Sequence, residues 1–196
     1  MVGVQGPLPE LNLKKWVNQD KVDNLFLKWS YEINETFKEN FVKNKKQVGK
    51  ALGKVVSGLY VVTTKFEEKE DAVLASWVNQ CSFEPPAVTI ALATLRSARL
   101  LIEASEAFIV NVLPKEDMAL LKHFSRPPEE IFKGVKTRKG FNGIKILSDA
   151  VSYLECEVAH SMQAGDHVLY VGEIVGGKNL KGGDPYIHVR DNGFNY

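Results

Sequence analysis

The stretch Ala75–Pro86, "ASWVNQCSFEPP", decides how the chain around it must fold. An apolar run ends in it, Ser76, Asn79, Gln80, Cys81 and Ser82 fill its middle, and Pro85-Pro86 closes it. Buried polar side chains without partners are costly. These residues therefore face water along an edge strand, or they face something that needs their hydrogen bonds. Proline has no N–H and restricts the residue before it, so the double proline is expected to stop ladder pairing.

On either side the chain is rich in β-branched residues. Strands are predicted over Val55–Thr64, Ala72–Val78, Ala87–Thr94, Ala107–Leu113, Val151–Met162 and Asp166–Lys178, with "KFEEKED" (Lys65–Asp71) as a charged turn. Short helices are predicted over Ser97–Ala104 and Lys115–Ser125. Arg126–Gly143 reads as a long loop with Phe132 as its apolar anchor. Many strands with few helices between them point to a mainly β fold with peripheral helices, closed as a barrel. A parallel sheet would need a crossover helix between most strands.

Residues 1–46 have a different texture and are expected to form an N-terminal helical extension ahead of the domain at 47–196. From Leu11 to Gln47 there is no Gly or Pro, and Leu13, Trp16, Val17, Leu25 and Trp29 recur at helical spacing. Trp16, Phe26 and Trp29 serve packing on the chain's own domain or contact with a partner.

The 196 residues carry a net charge of +1, with 44% hydrophobic and 25% charged residues. That balance lacks the basic excess needed to neutralise a phosphate backbone, so no nucleic-acid partner is expected. No apolar run approaches the roughly 20 residues needed to span a bilayer. The first residues carry charge and tryptophan where a signal peptide has an apolar core, so a cytoplasmic location is expected. Cys81 and Cys156 read as reduced thiols in that compartment, with a disulfide or a catalytic thiol as the alternatives. No CxxC or HxxxH spacing supports a metal site.

There is no G-x-G-x-x-G after a strand and no G-x-S-x-G elbow. "GKALGKV" (Gly49–Val55) is too short for a P-loop and has no Ser or Thr after the lysine, which leaves helix N-terminal chemistry as its reading. Three segments do carry chemistry. In Ala75–Pro86, short donors at Ser76, Gln80, Cys81 and Ser82 would let a planar heterocycle approach a strand edge. In "TLRSARLLIEA" (Thr94–Ala104), Ser97 begins a helix with Arg96 and Arg99 nearby. That arrangement suits an anion or an ordinary N-cap. In "AGDHVLYVGEI" (Ala164–Ile174), Gly165 permits a tight turn that puts Asp166 and His167 at the mouth of a strand.

Taken in order, "ASWVNQCSFEPP", "FIVNVL" (Phe108–Leu113), "LECEV" (Leu154–Val158) and "GDHVLYVGEI" (Gly165–Ile174) resemble the flavin reductase-like family, whose fold is an FMN-binding split barrel. The likeness runs from Gly49 to the C-terminus. It is strongest to the C-terminal flavin reductase module of cyanobacterial flavodiiron proteins, on "GKALGKVVSGLYVVTT", "LLKHF" (Leu120–Phe124) and "HVRDNGFNY" (His188–Tyr196). The resemblance implies a homodimer and FMN as cofactor, with FAD as the alternative flavin. It also implies hydride transfer from NAD(P)H, with electrons passing to free flavin, an iron species or a partner protein.

Through that resemblance Ala75, Ser76, Trp77, Val78, Gln80, Cys81 and Ser82 become the flavin wall, joined by Asn111. Ser97 with Arg96 or Arg99 becomes the phosphate end. His167 becomes the catalytic contact to nicotinamide or substrate, with His188 and Tyr196 as weaker ones. The sequence departs from the family where Gln80 replaces a common Ser and where "GIKIL" (Gly143–Leu147) replaces Gly-Pro-Val-Leu. No H-x-E-x-D iron-binding run occurs. Two other classes stay open: a non-enzymatic FMN carrier, and an interaction subunit that docks through residues 1–46.

Overall fold

The computed structural model describes residues 42–115, 118–125 and 130–194. The expected helices with Trp16, Phe26 and Trp29, and the contact expected of Tyr196, lie outside them. The chain divides into two units, residues 1–48 and 49–196, and the account below concerns the second. The described elements in chain order are α1 (Lys45–Gly53), which enters the second unit at Gly49, β1 (Ser57–Gly58), β2 (Tyr60–Phe66), β3 (Lys69–Ala75), β4 (Val78–Phe83), β5 (Pro86–Ala93), α2 (Ser97–Ser105) and β6 (Ala107–Val112). They continue with α3 (Met118–Ser125), β7 (Thr137–Lys139), a 3-10 turn (Phe141–Gly143), β8 (Lys145–Leu147), β9 (Ser152–Ala164), β10 (His167–Asn179) and β11 (Ile187–His188).

Seven strands form one antiparallel sheet in the order β3-β2-β6-β9-β10-β5-β4. Strands β2 and β6 are buried on both faces, which is why they read as near-continuous apolar runs rather than an alternation. Successive side chains of a strand point to opposite faces. In β2, Val62 joins a cluster with Val73, Ile90, Ile102, Phe108, Val110 and Tyr170, while Val61 joins Leu59, Ala72, Leu113, Leu120, Phe124 and Leu147. The first cluster lies under α2 and the second under α3. Each fully buried Val or Phe contributes roughly 1.5–3 kcal/mol. Phe108 requires a glycine opposite it: a Cβ on Gly172 of β10 would meet the Phe108 ring and, at 2.9 Å, Cβ of Cys156.

The sheet order settles the shape. β3 and β4 are its two edges, yet they follow one another in the chain with only Ser76 and Trp77 between them. Two residues span one strand spacing, not the six that separate the edges of a flat seven-stranded sheet, so the sheet must roll until its edges meet. The Trp77 carbonyl accepts the Ala91 N–H at 3.0 Å, which carries the β4–β5 ladder one residue toward the end of β3. Below that point no strand of the described residues pairs with the outer edge of β3. The barrel is split there.

Several local expectations shift. Val55–Thr64 is not one strand: β1 pairs with β11, and β2 begins at Tyr60. The charged turn shrinks to Glu67 and Glu68, because Lys69–Asp71 already pair in β3. Ala72–Val78 is likewise two strands, parted at Ser76-Trp77. The double proline does not end pairing. Pro86 opens β5 opposite Phe83, with a cis Glu84–Pro85 bond in the turn between them. The long loop holds strand β7, and Phe132 packs against the α3 cluster as its anchor. "GKALGKV" contains the end of α1, not its start, so helix N-terminal chemistry does not apply to it.

The glycines of α1 allow close packing of the C-terminal segment. Gly193 N–H donates to the Gly49 carbonyl at 2.7 Å, and a Cβ on Gly53 would strike the Arg190 carbonyl oxygen. Among the described residues no helix is long and apolar enough to cross a membrane.

Candidate functional site

The split opens into a cavity of about 430 Å³, within the roughly 300–1,000 Å³ typical of small-molecule sites. One wall is the unpaired edge of β3 from Asp71 to Ser76, and Ala91–Ala93 of β5 face it. The start of α2 (Arg96–Ala98) closes one end, and Leu121, Phe124 and Ile131 supply an apolar side. His167, Tyr186 and His188 complete the lining.

Ser76 is the most informative of these residues. Its side chain is 2% exposed and its Oγ has no hydrogen-bond partner. Leaving such a group unsatisfied costs roughly 1–3 kcal/mol. An orphaned hydroxyl on the wall of a cavity fits a ligand that carries polar atoms at that depth.

His167 stands at the mouth. The Gly165 turn, at φ +62°, reverses β9 into β10, and Thr94 N–H pins the turn by donating to the Asp166 carbonyl at 3.0 Å. The His167 imidazole pairs through Nδ1 with Asp166 Oδ1 at 2.8 Å. That hydrogen bond and the adjacent imidazole charge hold the Asp166 carboxyl below its usual range. The imidazole lies 4.7 Å from the Trp77 ring, tilted by 43°, and the Arg190 guanidinium is 5.5 Å from the same indole. His188 is held below 6.5 by burial and by the Arg190 charge.

Of the expected site residues, Ala75, Ser76, Arg96, Ser97, His167 and His188 line this one cavity, and Trp77 borders it through His167. The others lie elsewhere. Val78 points into the barrel core. Gln80 is exposed, with Nε2 donating to the Ser82 carbonyl at 3.3 Å, and Cys81 is the extra residue of a bulge between Gln80 and Ser82, also exposed. The polar run in Ala75–Pro86 therefore divides: Ser76 lacks a partner inside, while Asn79, Gln80 and Cys81 face water.

Arg99 is engaged within α2, donating from Nε to the Thr94 carbonyl at 3.1 Å and pairing with Glu103 at 2.6 Å. Asn111 is buried in the sheet, donating to the Val61 carbonyl at 3.0 Å and accepting the Leu147 N–H at 2.8 Å. Neither lines the cavity. Ser97 is the first helical residue rather than the cap. Arg96 holds the N-cap position without a side-chain bond, and Ser97 Oγ donates to Asp71 Oδ2 at 2.6 Å. Both cysteines are free, and burial with Glu155 alongside pushes the Cys156 thiol up to about 12.

Asp71, Tyr186 and the apolar trio Leu121, Phe124 and Ile131 were not expected. Asp71 had a legible signal: at i, i+2 and i+4 it shares one face of β3 with Val73 and Ala75. Reading the charged run as a turn hid that alternation. Among the described residues no group of three or more His, Cys, Asp or Glu is arranged to hold a metal ion.

The comparisons agree with this geometry. A family profile described as "Flavin reductase like domain" matches residues 52–195. Diflavin flavoprotein A 1 of a Synechocystis species is 40% identical over 136 residues, which cover 67% of this chain and 24% of that protein. The chain thus spans about a quarter of the length of the curated relatives it matches. Among solved structures, nitrilotriacetate monooxygenase component B from Mycobacterium thermoresistibile shares the fold at a TM-score of 0.70 and 22% identity, covering 76% of this chain and 84% of that one. The flavin reductase HpaC, solved with NADP+, matches at a TM-score of 0.65 and 25% identity, covering 74% and 90%. A split barrel with a polar-lined cavity at its seam, in a chain matched by this profile over most of its length, belongs to the flavin reductase-like domain family.

Proposed function

We propose that this chain is an NAD(P)H-dependent flavin reductase that holds FMN in the cavity beside Ser76. The observation that carries the reading is the Ser76 hydroxyl, buried and unpartnered on the wall of a cavity of fitting size. The family membership and the NADP+ bound to HpaC support it. Bound flavin supplies the hydride chemistry, and the protein supplies binding, orientation and electrostatics.

Each part of the cavity then has a task. Ser76 Oγ offers a hydrogen bond, and the unpaired edge of β3 offers backbone N–H and C=O groups to a planar heterocycle. Arg96, exposed at the rim, counters the phosphate charge. Leu121, Phe124 and Ile131 keep water off the ring. His167 is fixed by Asp166 and packed against Trp77, so it orients the nicotinamide at the mouth. A hydride step needs no general base. Electrons leave to free flavin, an iron species or a redox partner. The chain acts as a homodimer, for which exposed apolar residues such as Phe83 and Met162 provide surface.

The test is anaerobic mixing of flavin-loaded protein with NADH and with NADPH while flavin absorbance is followed. Bleaching by one or both is expected. A yellow protein that neither nicotinamide bleaches would instead be a flavin carrier, and the reductase reading would fall.

A further inference from the structure

Asp71 brings a charge to the cavity that a phosphate site has no use for. Its Oδ2 accepts the Ser97 hydroxyl at 2.6 Å and its Oδ1 accepts the Ala72 N–H at 2.7 Å. Ser97 is the first residue of the nine-residue helix α2, so the carboxylate sits where free N–H groups and the helix dipole favour an anion. That favourable position is filled from within the chain. Among the described residues no Lys or Arg pairs with Asp71.

An ionised carboxylate only accepts hydrogen bonds, and its two oxygens offer about four lone-pair sites. Two are used here, so Asp71 still has capacity for donors that come from the cavity. A phosphate pressed against it would bring two like charges together. Hydroxyl groups would not. On the same wall, Ser76 is 2% exposed and its Oγ is unpartnered, a sign separate from Asp71 that a polar ligand belongs at this depth. Arg96, exposed and next in sequence to the Ser97 that Asp71 holds, also lines the cavity.

We infer that Asp71 determines specificity in this cavity: it accepts hydrogen bonds from the hydroxyl chain that joins a flavin ring to its phosphate, and it turns the phosphate outward to Arg96. This rests on the cavity being a flavin site, and it adds which part of the flavin is recognised. The hydroxyl chain provides affinity, and the phosphate is met by the exposed Arg96 side chain rather than by the free N–H groups of α2.

Fluorescence titration of the full chain with FMN, riboflavin and lumiflavin, the ring without the hydroxyl chain, tests the assignment. The unmodified protein should bind riboflavin about tenfold or more tighter than lumiflavin, the worth of one or two hydrogen bonds. In Asp71→Asn the amide keeps a carbonyl for Ser97 but loses the charge, so the preference for FMN over riboflavin should rise about three- to tenfold. Equal binding of riboflavin and lumiflavin by the unmodified protein overturns the assignment without any variant. So does an unchanged FMN preference in an Asp71→Asn protein that melts cooperatively. If the unmodified protein binds no flavin at all, the proposed function fails together with this inference. If it binds flavin and is bleached by nicotinamide while these ratios stay flat, only the role of Asp71 is lost.

Discussion

The imidazole of His167 and the indole of Trp77 lie 4.7 Å apart, and they bring together two distant parts of the chain. Trp77 belongs to the crossing between the two sheet edges, and His167 opens β10. Arg190, from the C-terminal segment, reaches the same indole. The mouth of the cavity is thus built from the crossing, a hairpin turn and the strap that carries His188.

Ser76→Ala should act in opposite directions on the free and the loaded protein. It removes a buried hydroxyl that has no partner, so the flavin-free domain should become more stable by about 1 kcal/mol. Flavin affinity should fall by about five- to twentyfold as the hydrogen bond is lost. Thermal melts and flavin titration on the same preparation check both signs.

The two arginines near α2 should separate cleanly. Arg96→Ala should weaken FMN binding while leaving riboflavin binding unchanged. Arg99→Ala removes the bonds to Thr94 and Glu103 and should lower stability by about 1 kcal/mol without altering the FMN-to-riboflavin ratio. Paired titrations with the two flavins give the answer. A loss of FMN affinity in Arg99→Ala alone would return the phosphate end to the interior of the helix.

Asn111→Ala should be a stability variant. The change leaves the Leu147 N–H without its acceptor and opens a small void, so a loss of about 2–4 kcal/mol is expected in urea unfolding. Flavin affinity of the folded fraction should remain within about twofold, since Asn111 does not line the cavity.

His188 gives the fold an acid weakness. Its folded pKa is held below 6.5, so the unfolded chain takes up this proton more readily than the folded one. Above the unfolded value neither state is protonated and there is no penalty. Stability is lost as pH falls from there through the lowered folded value. His188→Gln should therefore flatten the decline of the urea midpoint as pH falls below the usual histidine range. A variant that follows the unmodified protein throughout that fall would show that other groups set the decline.

Much of the fold was legible because both faces of β2 and β6 are buried, so they announced themselves as apolar runs, and β5 did so through its alternation. The boundaries at 57–60 and 67–71 were not. Charged residues such as Lys69 and Glu70 look like turn in sequence, and only pairing with β2 makes them strand. The candidate site was half legible. Ser76 and His167 sit beside recognisable local signals, a polar break and a glycine turn. Asn111 misled because a buried amide that bridges β2 and β8 has the same sequence appearance as one that faces a ligand. Whether an arginine is free, as Arg96 is, or committed, as Arg99 is, depends on helix neighbours three to five residues away that local composition does not rank.

The clasp between Gly49 and Gly193 has a further consequence. It brings the two ends of the barrel unit to one pole, so covalent continuity could be moved without disturbing the packing. A circular permutant that joins residue 194 to residue 49 by a short linker and opens the chain at Gly182-Gly183, where added side chains would meet open space, should still close the same seam. The barrel behaves as a plug-in cassette whose two leads emerge side by side.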